Sequence, residues 1–158
     1  MERNKIARVL YIYSILASIL EGLFLLVFMP QEIGMIAKNE EFALLKWPGI
    51  IGMYIIAIVC FYAVYRFLSV IKNIEHNNSF CHDNVEHMKV IGHCAFTVGI
   101  LIILGDLFVF VLGLLHPGLL LFSLIIIFIA GAFCVVSYSL SSLIKQAVYI
   151  KEENDLTI

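Results

Sequence analysis

The chain has 158 residues, 62% of them hydrophobic and 14% charged, where ordinary soluble domains carry about 45–50% and about 25%. A mean hydropathy of +1.01 excludes a water-soluble globular domain. A net charge of −2 without a cluster of Lys and Arg excludes a direct nucleic-acid surface, because phosphate binding needs a concentrated basic field.

A bilayer core of about 30 Å takes about 20 apolar residues as helix, and four stretches qualify. The first, 9–29, follows Arg3, Lys5 and Arg8 and is interrupted only by Ser14, Ser18 and Glu21. It is longer than the apolar region of a secretory leader and has no small-x-small cleavage site, so it reads as a retained anchor ending at Pro30. The connection "QEIGMIAKNEEFALLKW" is too short for an outer domain. Its later half is expected to form an amphipathic turn, anchored at the headgroups by Trp47.

The second span is 48–68, uncharged from Pro48 to Tyr65. After a break at "HNNS", Asp83 with Glu86 three residues later reads as a capping box. It predicts a short helical extension, 83–89, ahead of the third span, 90–115, which carries His93 and Asp106. Pro117 and Gly118 suit the centre of a type II turn, so the third and fourth spans form an antiparallel hairpin. The fourth, 119–144, is uncharged and has no stop signal at Lys145. It is expected to continue through 145–153 with Leu143, Ala147 and Ile150 on one stripe.

The fold expected is all-α: an integral membrane four-helix bundle, antiparallel, forming a single domain over 1–158. Orientation follows from the basic residues, which are held on the cytoplasmic side. Arg3, Lys5, Arg8, Arg66, Lys72, Lys89, Lys145 and Lys151 fall on one side, and Lys38 and Lys46 on the other. Both termini are therefore expected inside, in a plasma membrane. Cys60, Cys81, Cys94 and Cys134 lie in separate segments and imply no disulfide framework.

Two acids inside the spans carry the strongest chemical signal, since an acid at a helix centre costs about 2.5–3.5 kcal/mol on insertion scales and must face protein or water. Gly92, Gly99, Asp106 and Gly113 recur every seven residues, as do Ala7, Ser14 and Glu21, which suggests two small-residue seams. Counted from Pro30 and His116, Glu21 and Asp106 each lie about 14 Å below the outer end. They are expected to form an intramembrane polar pair, with Tyr54 as hydroxyl partner, either fixing register as protonated acids or holding a proton or cation.

His76, Cys81, His82, Asp83 and His87 have zinc-ligand chemistry but no matching spacing, so a solvated loop with a helix cap is the expectation and no metal is assigned. Ser137, Ser139, Ser141 and Ser142 crowd helix four without a His-Asp set to activate any of them; they are expected to hydrogen-bond along or between helices. No phosphate loop or cofactor motif is present, and no enzyme is expected.

"SFCHDNVEHMKVIG" before helix three and "AVYIKEENDLTI" at the end of the chain resemble the paired signatures of the bacterial membrane family called domain of unknown function 2975. The matching positions are Phe80, Asn84, Lys89, Ile91 and Gly92, then Glu153, Asp155, Leu156, Thr157 and Ile158. Cys81 and His82 stand where the family more often has Ser and an acid. The resemblance implies a bacterial four-helix membrane protein with no assigned reaction, and a cytoplasmic partner of the helix-turn-helix regulator type, whose genes often lie beside the family's. The function expected is regulatory binding of that partner through the tail and the loop motif. The alternative is a small proton- or cation-coupled carrier or an oligomeric pore using Glu21 and Asp106.

Overall fold

The computed structural model describes residues 2–76 and 78–155, all helix and connecting turns with no strand among them. Four helical rods are long and apolar enough to cross a membrane: Lys5–Ile36, Phe42–Glu75, His82–Val111 and Pro117–Asn154. Large apolar side chains such as Phe128 and Val111, 78% and 81% exposed, cover their surfaces. Such exposure is costly in water and neutral against lipid tails.

The first rod runs past the expected stop. α1 (Glu2–Leu23) leads into a π-helical turn, Phe24–Phe28, and then into α2 (Met29–Ile36) without leaving helical backbone angles. Pro30 has no N–H, and its ring would meet the carbonyl four residues back, that of Leu26. That carbonyl lies inside the π turn, where the ladder has already widened so that Met29 N–H bonds to Phe24 O. The proline is absorbed at a bulge, and the helix does not end there.

A 3₁₀ turn, Glu40–Leu45, leads into α3 (Lys46–Glu75), with Trp47 exposed at its start and the Lys46 ammonium 5.8 Å from the indole centroid. α4 (His82–Val111) stops short of the expected residue 115. Gly113 adopts φ +72°, with Leu114 N–H bonded to Val109 O at 3.1 Å and Gly113 N–H to Phe110 O at 2.9 Å. These bonds make a Schellman cap, which needs a residue free to enter the left-handed region. Pro117 and Gly118 are not turn centres: they open α5 (Pro117–Asp155), with Pro117 where a first-turn proline is tolerated. The His116 Nδ1 accepts the Gly118 N–H at 3.1 Å.

At 39 residues, α5 is about 58 Å long, nearly twice the hydrocarbon thickness. The rods pack in chain order: α1 on α3, α3 on α4, and α4 on α5. Buried side chains gather toward one end of the last three helices, with Val70 and Ile71 on α3, Asn84, Val85, Met88 and Cys94 on α4, and Ser137, Ser141 and Val148 on α5. Ile71 and Asn84, each 1% exposed, are the largest that are completely covered.

Candidate functional site

Two expectations about small residues and acids change once the rods are placed. Of the seven-residue glycine series on α4, only Gly92 is in contact: a methyl group there would come within 3.2 Å of the Tyr138 ring, whereas Gly99 and Gly113 face open space. The series is a close approach at Gly92 and a helix cap at Gly113, not a continuous seam. The Tyr138 ring lies edge-on to His93, their centroids 5.4 Å apart.

Glu21 and Asp106 line separate hollows. Glu21 faces a cleft along the first rod with Leu20 and Phe24, and Asp106 one between α4 and α5 with Leu120 and Leu124. Their levels also differ. A methyl group on Gly22, beside Glu21, would come within 3.2 Å of the Phe61 ring of α3; Arg66 meets His87 and Asn73 meets Asn84, so Phe61 falls near Phe96 of α4, ten residues from Asp106, about 15 Å of helix. The depth count from Pro30 misled because the first rod ends at Ile36. Tyr54, on α3, is exposed and seven residues from Phe61, about 10 Å of helix, and no described hydrogen bond joins it to either acid.

The polar groups that do meet lie at the enclosed end of α3, α4 and α5. Asn84 is 1% exposed. Its Oδ1 accepts from Asn73 Nδ2 at 2.7 Å, and its own Nδ2 donates to Ser79 O at 2.9 Å. A carboxamide offers both an acceptor and donors, so one buried side chain ties α3, the α3–α4 turn and α4 together. The expected capping box does not form. Cys81, with extended backbone, precedes the first turn of α4 without a side-chain cap bond; Asp83 sits in that first turn, and the inward position belongs to Asn84.

On the α4–α5 side, Ser141 Oγ donates to Val85 O at 2.8 Å. Ser137, Ser141 and Val148 are the buried positions of this part of α5, while Leu143 and Ile150 are 60% and 59% exposed. Of the expected stripe, Leu143 and Ile150 thus face outward and Ala147 is half-buried, while small serines let the helices approach closely. At the far end His82 Nε2 and Glu152 Oε1 are 3.1 Å apart, both largely exposed, a pair worth little in stability that brings the end of α5 beside the start of α4.

The loop's metal-type residues are directed to different partners: Cys81 to Asn73, His82 to Glu152, and His87 to Arg66, whose Nη1 is 3.2 Å from Nδ1. No group of three or more His, Cys, Asp or Glu able to hold a metal occurs among the described residues. Of the remaining loop-motif positions, Phe80 is 53% exposed and Lys89 is exposed. Glu153 and Asp155 belong to the last turns of α5, and Leu156, Thr157 and Ile158 lie outside the described residues.

The family described as protein of unknown function (DUF2975) matches residues 31–158, a range containing every contact of this polar end. Among curated proteins, the uncharacterized membrane protein YoaS of Bacillus subtilis (strain 168) is 31% identical over 118 residues, 73% of this chain and 74% of that protein. No solved structure matches.

Proposed function

The chain belongs to the DUF2975 family of multi-pass membrane proteins, and from that premise we propose that it is a regulatory interaction protein. Its partner is a cytoplasmic protein, of the helix-turn-helix regulator type that the resemblance implies. In this reading the bundle is antiparallel, both termini face the cytoplasm of a bacterial cell, and the enclosed end of α3–α5 is the inner end. The excess of Lys and Arg at that end supports the orientation. The progression of contacts, 82 with 152, 85 with 141 and 92 with 138, supports the antiparallel course.

The observation that carries the proposal is the exposed apolar face of α5. Leu143, Tyr149 and Ile150 stay exposed on a helix that continues past Lys145 to the acidic turn at Glu152 and Glu153. An apolar helical face beside acids, rigidly mounted on a packed polar platform, suits helix-in-groove docking. The tail motif Asp155, Leu156, Thr157 and Ile158 follows that face in the sequence and is assigned to the same partner through the family resemblance. The carrier alternative asks one hollow to hold both Glu21 and Asp106, and each lines its own.

Co-purification from detergent with the regulator encoded beside the gene tests this reading. Deleting residues 152–158, or replacing Ile150 by Asp, is expected to reduce recovery about tenfold or more, the size of a central apolar contact in an interface. Recovery equal to that of the parent in both variants would remove the role of α5.

A further inference from the structure

A second polar group stands apart from the α5 face, on the outer side of the α3–α4 contact. Arg66 follows the uncharged run 48–65 of α3, and His87 precedes the apolar part of α4 that begins at Val90. The exposed rings of Tyr62 and Tyr65 flank Arg66 at the depth where interfacial aromatics collect. Both helices therefore change from lipid-compatible to water-compatible sequence at this level, which is where headgroup phosphates lie.

The guanidinium is held in place without being neutralised. Its Nε and Nη2 donate to the Tyr62 hydroxyl, its Nη1 lies 3.2 Å from His87 Nδ1, and its central carbon is 5.1 Å from the Tyr62 ring centroid. Arg donating to Nδ1 requires the neutral imidazole, which leaves the Nε2–H of His87 as a further donor. A guanidinium carries five N–H groups. Those bonds use three, so two remain. Glu86 acts on Arg66 from a distance, but no ion pair within 4 Å joins a described carboxylate to it. A preorganised cation with two N–H donors to spare and no described carboxylate in contact matches a phosphate diester.

We propose that Arg66, Tyr62 and His87 form a binding site for the phosphodiester of an anionic phospholipid, seated where α3 and α4 leave the hydrocarbon. Basic pockets between membrane helices at headgroup level recognise anionic lipids in this way. Arg66 supplies the charge and the fork, while Tyr62 and His87 fix its orientation, so the site prefers a net-negative lipid to a zwitterionic one. The site does not depend on the partner proposed for α5.

Thermal unfolding of the purified, delipidated full chain in detergent tests it, with dioleoylphosphatidylglycerol, dioleoylphosphatidylcholine or inorganic phosphate titrated in. Phosphatidylglycerol is expected to raise the midpoint at lower concentrations than phosphatidylcholine, and inorganic phosphate to leave it unchanged. Arg66→Gln should raise the half-saturating phosphatidylglycerol concentration roughly tenfold or more, the effect of losing a charged hydrogen-bond donor. Tyr62→Phe and His87→Gln should raise it by a smaller factor, and Lys72→Gln, on the same helix, should leave it as in the parent. The proposal is overturned if the two lipids protect equally, if phosphate reproduces the shift, if Lys72→Gln weakens binding as much as Arg66→Gln, or if Arg66→Gln binds like the parent. Should Arg66→Gln fail to fold, Tyr62→Phe and His87→Gln decide, and parental affinity in both overturns it.

Discussion

Replacing Asn84 by Ala is expected to lower the stability of the protein by about 2–3 kcal/mol, from two buried hydrogen bonds lost together and their partners left unpaired. The loss has two parts. Asn73 keeps its Nδ2–H but loses the acceptor 2.7 Å away, and the Ser79 carbonyl loses the donor at 2.9 Å. Because Asn84 is 1% exposed, water cannot replace it without opening the α3–α4 contact. Asn84→Asp is expected to cost more, since a carboxylate can still accept from Asn73 but sets an anion against the Ser79 carbonyl. Asn78→Ala, at an exposed position in the same turn, should stay within about 0.5 kcal/mol of the parent. Unfolding in mixed micelles, followed by helical circular dichroism, measures all three; equal stability of Asn84→Ala and Asn78→Ala would show that the carboxamide network does not hold the helix ends.

Ile71→Ala is expected to cost about 2–5 kcal/mol, the range for removing a packed branched side chain from an enclosed site. Phe128→Ala is the comparison. It removes a larger side chain, yet Phe128 is 78% exposed and Ile71 1%. In lipid or detergent, apolar surface gains nothing by leaving water, so only contacts to other protein atoms count. The smaller residue should therefore give the larger loss. The same unfolding assay decides, and a Phe128→Ala loss equal to or greater than that of Ile71→Ala would contradict the packing described for α3.

The four rods were readable from the sequence because about twenty apolar residues in a row have few alternatives to a membrane helix. The ends were less readable. Pro30 reads as a stop, but a π turn just before it removes the clash that would have made it one. Gly113 reads as a seam residue because seven-residue spacing is blind to φ.

The site was partly hidden for a related reason. In water, polarity says which face of a helix is buried; here apolar faces meet lipid, and the close contacts use Ser137, Ser141 and Gly92. Asn84 and Gly92 stood out through the family resemblance, and the structure gives each a physical task, one as a buried hydrogen-bonding hub and the other as a close approach to Tyr138. Their partners Asn73 and Tyr138, and the Arg66–His87 contact, depend on the register between helices, which no pattern along one helix encodes. The cations at 66 and 72, read first only as orientation signals, lie on the helix that supplies Asn73.

The central claim is that the enclosed polar end of α3–α5 faces the cytoplasm and the turn between α2 and α3 faces outward. Labelling of intact cells with a membrane-impermeant maleimide tests it, using the native Cys81 at the start of α4 and an Asn39→Cys substitution in a background where Cys60, Cys94 and Cys134 are replaced by Ala. The account predicts that position 39 is labelled in intact cells and that Cys81 is labelled only after permeabilisation. Labelling of Cys81 from outside, with position 39 protected until the membrane is opened, would contradict it.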